Sequence, residues 1–487
     1  MSGDQPQGAS GAAELREFTP TTEDVQAFAV LSGDVNPIHV DAVASRRLLF
    51  GEPVVHGMAG VLEALDAHFA DGGLVPGTIQ VAFRRPMLIA TPLTVRRSQD
   101  GAGRVRLVIR GAGEDLTIIT LADLTPADQW RSSDHPPDGV VVVESGSDAP
   151  VERFFADDGP TSGVLEVGTD QALFAARYPA VWSTLGPLRA TGLATLSRLV
   201  GMVIPGLNSL FTGMELTFRP LEPHDAPSLR WQLVRAKAAI APITIEVAGP
   251  GLAGTVDALF RPAPVQQPSA HEVAEAITAG DLRGQRVLVV GGSRGLGELL
   301  AKVAAAMGAE VVLTYARGRR DAEHVAAEIN GLGGRCVVAE VEVADLPDLI
   351  AAHEPFAQVY YCATPAIIRA PSESMQAAYR RMYITAFTRL VESLAARGGP
   401  TSVFYPSTTY VADCPPGLEV YAAVKADGEQ ACADLDHRYS QVSVLVRRLP
   451  PMATDQTNAL VQKVPQAALP IAIEIVREMA GGEPDAG

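Results

Sequence analysis

The chain has 487 residues, enough for about three domains of ordinary size. It is 47% hydrophobic and 20% charged, a composition that excludes an intrinsically disordered chain. Its 39 basic and 56 acidic residues give a net charge of −17. This charge argues against general nucleic-acid binding, because that requires a positive surface against the phosphates.

The beginning of the chain, up to residue 14, consists of small and polar residues, and we expect a disordered tail there. It has neither the basic region nor the apolar core of a signal peptide. No apolar run reaches the ~18–20 residues that a membrane span needs. Four cysteines without a C-x-x-C pair indicate neither a disulfide framework nor a zinc site. We therefore expect a soluble, reduced, cytoplasmic protein with no nucleic-acid or membrane partner.

Two stretches of low order divide the remaining chain. Residues 125–139 and 261–270 are rich in proline and polar residues, a composition typical of linkers. The predicted organisation is a tail at 1–14, segments at 15–125, 140–262 and 280–480, and a second linker at 261–279.

The first two segments follow one plan. Each has an apolar helix, a Pro-Gly turn and a strand that ends in Phe-Arg-(Arg)-Pro, at 56–97 in the first segment and 188–223 in the second. Self-similarity of this length indicates a duplication, although two unrelated helix–turn–strand units would give the same pattern. A long helix followed by strands with period-two alternation predicts an antiparallel sheet curled around that helix.

The first segment carries the motif SGDVNPIH, followed by HGM at the start of its long helix. The motif places Asp34 and His39 five residues apart across a loop that contains Asn36. By itself, such a loop could be a capped turn with a surface histidine. With the additional His56-Gly57 pair, the combination resembles the MaoC-like, (R)-specific enoyl-thioester hydratases, whose S-G-D-x-N-P-[IL]-H motif is matched in full.

This resemblance implies a hot-dog fold in which Asp34 and His39 are the acid–base pair that adds or removes water across the α,β-bond of a thioester. The Gly57 amide, at the helix N-terminus, would donate to the thioester oxygen, and Asn36 and His56 would lie in the same substrate site. Removing a proton α to a thioester builds enolate charge on that oxygen. A fixed amide and the helix dipole stabilise this charge.

The second segment lacks these groups. Asp170 has no histidine five residues later, where Ala175 stands, and the position of Gly57 falls near Arg189-Ala190. We therefore expect a non-catalytic half that completes a double hot-dog and helps to shape the acyl tunnel.

The third segment alternates short apolar strands with helices. RVLVV at 286–290 is a continuous apolar run, typical of a strand buried on both faces. Further strands are predicted at 310–316, 335–343 and 358–362. Strands and helices that alternate at this spacing predict a parallel α/β sheet of Rossmann type.

The turn GGSRGLG follows the first of these strands directly and opens a helix. Its glycines let the backbone approach a pyrophosphate, and the helix N-terminus supplies amide donors; a merely flexible loop is the alternative. Arg294 and Arg317 could face the adenosine ribose and accept the 2′-phosphate of NADP, whereas an acidic residue would favour NAD. The residues predicted to contact the cofactor in this turn are Gly291, Ser293, Arg294, Gly295, Leu296 and Gly297.

Tyr421 and Lys425 form a Y-x-x-x-K pattern on a predicted helix, with Ser407 and Thr408 after an upstream strand. Residues four apart share one helix face. The ammonium should therefore lower the pKa of the phenol toward neutrality and make Tyr421 a general acid. With only ten tyrosines and four lysines in the chain, chance gives such a pair rarely.

The third segment resembles the short-chain dehydrogenase/reductase family over its whole length. The glycine turn matches the family's T-G-x-x-x-G-x-G, with Val290 at the threonine position. LPPMATD is similar to the family's P-G-x-I-x-T-D loop over the nicotinamide, with Thr454 at the threonine. By the family's spacing, Thr408 or Ser407 would bind the substrate carbonyl, and Thr408, thirteen residues before Tyr421, fits slightly better.

The segment departs from the family at two places. The N-N-A-G motif reads Tyr361-Cys362-Ala363-Thr364, which leaves Ala363 as a predicted cofactor contact. The helix asparagine that anchors the family's proton-relay water corresponds to Tyr383. We expect these changes to affect the turnover rate more than cofactor binding.

Other charged residues give weaker signals. The remaining seven histidines have no metal-ligand spacing, so we predict solvated rings and no metal site. Arg84-Arg85 and Arg96-Arg97 could contact a phosphopantetheine or nucleotide phosphate, or could equally be exposed strand charges.

Together these observations predict an α+β double hot-dog domain followed by an α/β Rossmann-type domain, in one bifunctional enzyme of acyl thioesters. The reductase would use NADPH on a 3-oxoacyl group, and the dehydratase would convert the product to a trans-2-enoyl thioester, in fatty-acid or polyketide-type biosynthesis. The carrier would be acyl carrier protein or coenzyme A, and the chain could form a homodimer. Two alternatives stay open: hydration followed by NAD-linked oxidation, and a non-catalytic acyl-binding scaffold.

Overall fold

The structure is a computed structural model of the chain. It describes residues 13–48, 50–132, 150, 160–235, 243–261, 263–277, 282–368, 371–455 and 466–481. These residues form two compact units, the first ending at Ala263 and the second beginning at Pro264. No helix among them combines enough length with enough apolar character to cross a membrane.

The described part of the first unit contains six α-helices and ten strands. The helices are α1 (Thr22–Ser32), α2 (Pro37–Val40), α3 (Gly57–Ala70), α4 (Ala127–Ser132), α5 (Gln171–Arg177) and α6 (Pro179–Arg198), and a π-helical turn (Leu199–Val203) follows α6. The strands are β1 (Ala13–Phe18), β2 (Val75–Phe83), β3 (Leu93–Gln99), β4 (Val105–Gly111), β5 (Glu114–Thr125), β6 (Ser162–Glu166), β7 (Ser209–Phe218), β8 (Ser228–Arg235), β9 (Ile243–Gly249) and β10 (Leu252–Phe260).

All ten strands form one antiparallel sheet in the order β1-β3-β4-β5-β2-β7-β10-β9-β8-β6, whose second half mirrors the first. At its centre β2 pairs with β7, and Gln80 lies opposite Glu215. Gln80 stands three residues before Phe83 of the first Phe-Arg sequence, and Glu215 stands three residues before Phe218 of the second. Residues that stand at the same distance before the two Phe-Arg sequences therefore pair with each other at the centre of the sheet.

Each half of the sheet packs against one long helix, α3 in the first half and α6 in the second, and the two helices contact each other. Asp66 on α3 accepts hydrogen bonds from the N–H groups of Ala180 and Val181, in the first turn of α6, at 2.8 and 3.1 Å. These amides have no partner within their own helix. Asp66 therefore fixes the start of α6.

The helix α6 is interrupted at Gly186, whose φ is 77°. Beyond this break lies Arg189, near the position that corresponds to Gly57. Its buried guanidinium donates from Nη2 to the carbonyl of Arg219 at 2.6 Å and lies 5.0 Å from the ring centre of Trp130. In the second half, the buried guanidinium of Arg189, which donates to a backbone carbonyl, therefore stands near the position that Gly57 has in the first half.

The described part of the second unit contains eight α-helices and six strands. The helices are α7 (Ala270–Glu275), α8 (Gly295–Ala306), α9 (Arg319–Gly331), α10 (Leu346–Ala352), α11 (Glu373–Arg380), α12 (Phe387–Arg397), α13 (Glu419–Arg438) and α14 (Ala468–Met479). The strands are β11 (Arg286–Val290), β12 (Glu310–Tyr315), β13 (Arg335–Glu340), β14 (Gln358–Tyr361), β15 (Thr401–Thr408) and β16 (Val442–Leu449).

These six strands form one parallel sheet in the order β13-β12-β11-β14-β15-β16, which confirms the predicted Rossmann-type sheet. Apolar clusters cover both of its faces. The strand order reverses between β11 and β14. In open parallel sheets, ligands bind beyond the carboxyl ends of the strands at such a point.

Three predicted boundaries differ from the structure. Residues 127–132 of the first predicted linker, 125–139, form α4, and Trp130 is buried. Residues 13–14, placed in the tail, belong to β1, which pairs with β3. In the predicted linker 261–279, Ser269 and Glu272 form a reciprocal cap at the start of α7, and Val273 is buried. The composition suggested a linker, but the capping box and one buried side chain order a short helix that packs on the second unit. Residues 1–12 of the tail and 133–139 of the first linker lie outside the described residues.

Candidate active sites

The first candidate site lies in the loop between α1 and α2, which is formed by the SGDVNPIH motif. The helix α1 ends at Gly33, whose φ of 72° favours glycine. Asn36 caps α2 by accepting a hydrogen bond from the N–H two residues later at 3.1 Å, and Pro37 is the first helical residue. These two helix ends fix the backbone that carries Asp34 and His39.

Asp34 is buried, and both of its carboxylate oxygens have hydrogen-bond donors. The backbone N–H of Asn36 donates to Oδ1 at 3.2 Å, and the hydroxyl of Ser197 donates to Oδ2 at 2.7 Å. Burial raises the pKa of Asp34, whereas the charge of His39 and these two hydrogen bonds lower it.

The imidazoles of His39 and His56 stack beside this carboxylate, with ring centres 3.8 Å apart. His39 donates from Nδ1 to the carbonyl of Val54 at 2.8 Å, which leaves Nε2 able to accept a proton. His56 donates from Nε2 to the carbonyl of Asp34 at 2.9 Å. Burial lowers the pKa of both rings, that of His56 well below its usual range.

One acid–base atom from each of Asp34, His39 and His56 lies within 4.8 Å of the other two. The same donor set could hold a metal ion, so the expected absence of a metal stays a prediction. Gly57 begins α3 directly after His56, and a Cβ atom added there would lie 2.8 Å from Cε1 of Phe83. Glycine therefore lets the start of the helix approach β2 closely.

The second segment supplies another side of this site, which the sequence did not predict. A Cβ atom added to Gly201, in the π-helical turn after α6, would lie 2.4 Å from Oδ1 of Asp34. Asn36 donates from Nδ2 to the carbonyls of Gly201 and Leu207 at 2.7 and 3.2 Å. Ser197 gave no signal in the sequence, because a serine within an apolar helix reads as part of the core.

Arg261 was also missed, since the sequence places it in a linker. Its side chain is only 2% exposed. Its Nη2 donates at 2.5 Å to the carbonyl of Leu207, the same oxygen that accepts from Asn36. Burial lowers the pKa of Arg261 to about 10, and its charge lowers the pKa of His39. This guanidinium therefore favours the unprotonated imidazole.

The second candidate site lies beyond the carboxyl ends of β11 and β14. A Cβ atom added to Gly291, whose φ is 77°, would lie 2.8 Å from the nitrogen of Ala363, and one added to Gly297 would lie 2.3 Å from the oxygen of Gly291. One added to Gly295 would lie 3.6 Å from the Cβ of Thr454. The structure thus brings these predicted residues together. The three glycines form a cradle of backbone atoms, which fits the pyrophosphate of a dinucleotide.

The other predicted cofactor residues surround this cradle. Ser293 is buried, and Leu296 is half-buried against the apolar cluster of α8. Nη1 of Arg294 lies 3.8 Å from Oδ2 of Asp455. Arg317 follows β12 and is exposed. Both arginines thus follow strands that end at this edge of the sheet.

Tyr421 and Lys425 lie one turn apart on α13. The hydroxyl of Thr408 lies beside the phenol of Tyr421 and lowers its pKa, and it accepts a hydrogen bond from the N–H of Tyr410 at 3.2 Å. The hydroxyl of Ser407 instead donates to Oε1 of Glu429 at 2.5 Å. Adjacent strand residues point to opposite faces, and of the two predicted hydroxyls it is Thr408 that lies at the phenol.

Lys425 is buried, and its Nζ donates to the carbonyl of Pro406 at 2.6 Å and lies 3.9 Å from the ring centre of Tyr383. Burial lowers the pKa of Lys425 to about 7, and burial raises the pKa of Tyr421. The expectation that Lys425 lowers the pKa of the phenol is wrong for this structure, because the desolvation of both groups dominates.

Tyr383 lies in a π-helical turn (Arg381–Ala386) between α11 and α12. Its hydroxyl is 2.5 Å from the hydroxyl of Thr364, and its ring meets that of Tyr421 edge to face at 5.9 Å between centres. The two departures from the family motifs therefore contact each other. The ring of Tyr383 covers Lys425, where the family resemblance implies a relay water.

The remaining sequence signals have structural explanations. Arg85, Arg96 and Arg97 pair with acidic side chains of the first unit at 3.6, 3.7 and 2.5 Å, which favours exposed strand charges over a phosphate site. His68, expected to be solvated, is buried, and its Nε2 donates to the carbonyl of Leu74 at 3.1 Å.

Comparison with known proteins gives partial matches. An L-rhamnose 1-dehydrogenase (NAD(P)(+)) of a Sphingomonas species is 42% identical over 64 residues, which are 13% of this chain and 25% of that protein. A short chain dehydrogenase/reductase of Aspergillus aculeatus is 36% identical over 69 residues, 14% of this chain and 26% of that protein. The chain thus spans about a quarter of the length of these curated relatives.

Solved structures match the chain at low identity. A short chain dehydrogenase from Burkholderia cenocepacia in complex with NADP is 22% identical and covers 41% of this chain and 92% of its own, with a TM-score of 0.37. A citronellol catabolism dehydrogenase of Pseudomonas aeruginosa is 19% identical. The match covers 42% of this chain and 90% of that protein, with a TM-score of 0.37.

Two family models match separate parts of the chain, one described as MaoC like domain and the other as short chain dehydrogenase. Their order along the chain agrees with the fusion that the sequence motifs indicate. The chain therefore carries a MaoC-like domain at residues 8–117 and, C-terminal to it, a domain of the short chain dehydrogenase family at residues 285–361.

Proposed function

We propose that this chain is a bifunctional enzyme of acyl thioesters. The second unit reduces a 3-oxoacyl group with NADPH, and the first unit removes water from the resulting 3-hydroxyacyl group to give a trans-2-enoyl thioester. The observation that carries this proposal is the pair formed by the buried Asp34 and the half-buried His39 beside the N-terminus of α3, with acid–base atoms within 4.8 Å of each other.

The fold that we propose for the first unit is a double hot-dog. Its support is the ten-stranded antiparallel sheet, whose halves have the same strand order and each pack on one long helix. In this arrangement the first half holds the acid–base pair, and the second half contributes Ser197 and Gly201 to its surroundings.

Dehydration requires a base for the α-proton and an acid for the leaving hydroxyl. Asp34 and His39 form such a pair if they share one proton, since burial disfavours the charged form of each. The unprotonated member takes the proton from Cα, the protonated member gives its proton to the C3 hydroxyl, and water leaves. The pair then again holds one proton, on the other member. The start of α3 at Gly57 stabilises the enolate charge on the thioester oxygen.

For reduction, the glycine cradle around Gly291 would hold the pyrophosphate of NADPH, and Lys425 would hold its nicotinamide ribose, as the family resemblance implies. NADPH bound in this way would supply the hydride for the 3-oxo carbon. The hydroxyl of Thr408 holds the carbonyl oxygen of the substrate, and Tyr421 donates its phenolic proton to that oxygen. Because burial raises the pKa of Tyr421, the phenol is protonated at neutral pH and can act as this donor.

The two activities share the 3-hydroxyacyl intermediate, and joining them in one chain raises its effective concentration. We propose acyl carrier protein or coenzyme A as the carrier, in biosynthesis of the fatty-acid or polyketide type. Operation in the oxidative direction would call for NAD, which Arg294 and Arg317 disfavour.

One observation favours a second candidate function, a reductase domain that serves as a non-catalytic scaffold. The ring of Tyr383 covers the ammonium of Lys425 at 3.9 Å, where catalysis in this family uses a relay water. The proposal is tested by mixing the protein with NADPH and a short 3-oxoacyl thioester. Loss of NADPH with formation of the 3-hydroxyacyl and enoyl thioesters, identified by mass spectrometry, supports the enzyme. No NADPH loss supports the scaffold.

The cofactor assignment predicts that NADPH binds at least tenfold more tightly than NADH, a difference of about 1.4 kcal/mol. Titration calorimetry measures both affinities. Arg317→Ala should remove most of the preference, because it deletes an exposed cation at the carboxyl end of β12. Arg335→Ala, at the opposite end of the neighbouring strand β13, is the matched control and should keep it. Equal affinities in the wild-type protein would reject the assignment.

A further inference from the structure

We propose that Ser197 is a positioning residue for the carboxylate of Asp34, so that both repeats build the dehydratase site. This inference rests on the proposed function and deepens it. It assigns to the second repeat, which carries no equivalent of the Asp34–His39 pair, a direct part in setting the protonation of that pair.

The direction of the Ser197 hydroxyl is the first support. A serine or threonine within a helix often donates back to a carbonyl one turn earlier. Thr195, on the same helix, does so, with its hydroxyl 2.9 Å from the carbonyl of Thr191. Ser197 instead donates out of the helix to Oδ2 of Asp34 at 2.7 Å. Both hydroxyls are buried.

The residues around this contact let the carboxylate of Asp34 come close to the backbone after α6. Gly201, one turn after Ser197, leaves room for the carboxylate, since a Cβ atom there would lie 2.4 Å from Oδ1 of Asp34. The carbonyl of Gly201 accepts from Nδ2 of Asn36 at 2.7 Å. The end of α6 therefore binds Asp34 through the hydroxyl of Ser197, and the turn that follows binds Asn36 through the carbonyl of Gly201.

The chemical consequence concerns the ionised form of Asp34. A hydroxyl that donates to a carboxylate stabilises the charged form and lowers its pKa, against the burial that raises it. Without this donor, Oδ2 would be buried without its side-chain partner, and the pKa of Asp34 would rise further. One limb of the pH–rate profile, which reports a macroscopic pKa of the coupled Asp34–His39 pair beside His56, should then move to higher pH.

The test uses the full chain and a short trans-2-enoyl-CoA, whose hydration is followed by loss of the absorbance of the conjugated thioester. Ser197→Ala should lower kcat about tenfold, leave KM within about twofold and move one limb of the profile upward by about one pH unit, the size expected for a hydrogen bond to a charged group. Thr195→Val, which removes a buried hydroxyl that does not touch Asp34, should leave the profile unchanged.

Each outcome decides the inference. A shifted limb in Ser197→Ala but not in Thr195→Val supports it. An unchanged profile in Ser197→Ala, or an equal shift in both variants, overturns it, because the hydroxyl then has only a structural role. If Ser197→Ala does not fold, Ser197→Cys keeps the volume with a weaker donor and is judged by the same shift. A wild-type protein without any hydration activity would instead refute the proposed function itself.

Discussion

Replacing Asp34 by asparagine should lower the rate of enoyl-thioester hydration by about 10²–10⁴-fold, the usual contribution of a general acid–base group. The amide keeps the size of the carboxylate but cannot carry the proton that the pair shares with His39. Reduction of a 3-oxoacyl thioester by the same variant should continue at its normal rate, so that the 3-hydroxyacyl thioester accumulates. Mass spectrometry of the reaction mixture measures both results at once.

Asp41→Asn is the matched control for this variant. Asp41 follows the same loop, but its carboxylate is exposed and accepts from two backbone N–H groups at 2.8 and 2.9 Å. Hydration by this control should be close to that of the wild-type protein. Loss of reduction together with hydration in a well-folded Asp34→Asn protein would show that the two sites are coupled. Our assignment of dehydration to the first unit and reduction to the second would then be wrong.

Tyr421→Phe should abolish ketone reduction, with a loss of about 10²–10⁴-fold, because it removes the proton donor and leaves the ring in place. The rate of NADPH oxidation with a short 3-oxoacyl thioester measures this loss. Hydration of a supplied enoyl thioester should remain near its normal rate, since none of the contacts described for the first site involves Tyr421.

Tyr439→Phe is the matched control. Tyr439 caps the C-terminal end of α13, more than three turns after Lys425, and loss of its hydroxyl should leave both activities intact. Retention of reduction by Tyr421→Phe would exclude the phenol as the proton donor. It would direct attention to Tyr383, whose hydroxyl contacts Thr364 at 2.5 Å in the same cluster of rings.

The parts of both sites that could be predicted from sequence are those that depend on local spacing. Asp34, His39 and Gly57 belong to two short motifs, and Tyr421 and Lys425 share one helix turn. The glycine turn follows a buried strand directly, so its place at the sheet edge follows from chain order alone. In each case the neighbours in space are also near neighbours in sequence.

The parts that could not be predicted depend on long-range packing. Ser197 reaches Asp34 only because the two halves of the sheet pair through β2 and β7, which brings the end of α6 to the first loop. The contact of Thr364 with Tyr383 requires the register of two separate elements. The pKa of Lys425 depends on burial, which a Y-x-x-x-K spacing does not reveal.

The pairing of β2 with β7 also has a consequence for stoichiometry. Two identical subunits joined by such a pair of strands would carry two copies of every residue, and each substitution would alter both. Here the two halves of the sheet belong to one chain, so Gly57 can stand in one while Arg189 stands near the corresponding place in the other. The chain therefore carries one Asp34–His39 pair for one Tyr421–Lys425 pair. A cell that makes this protein holds the two proposed sites at a ratio of one to one, independent of its level of expression.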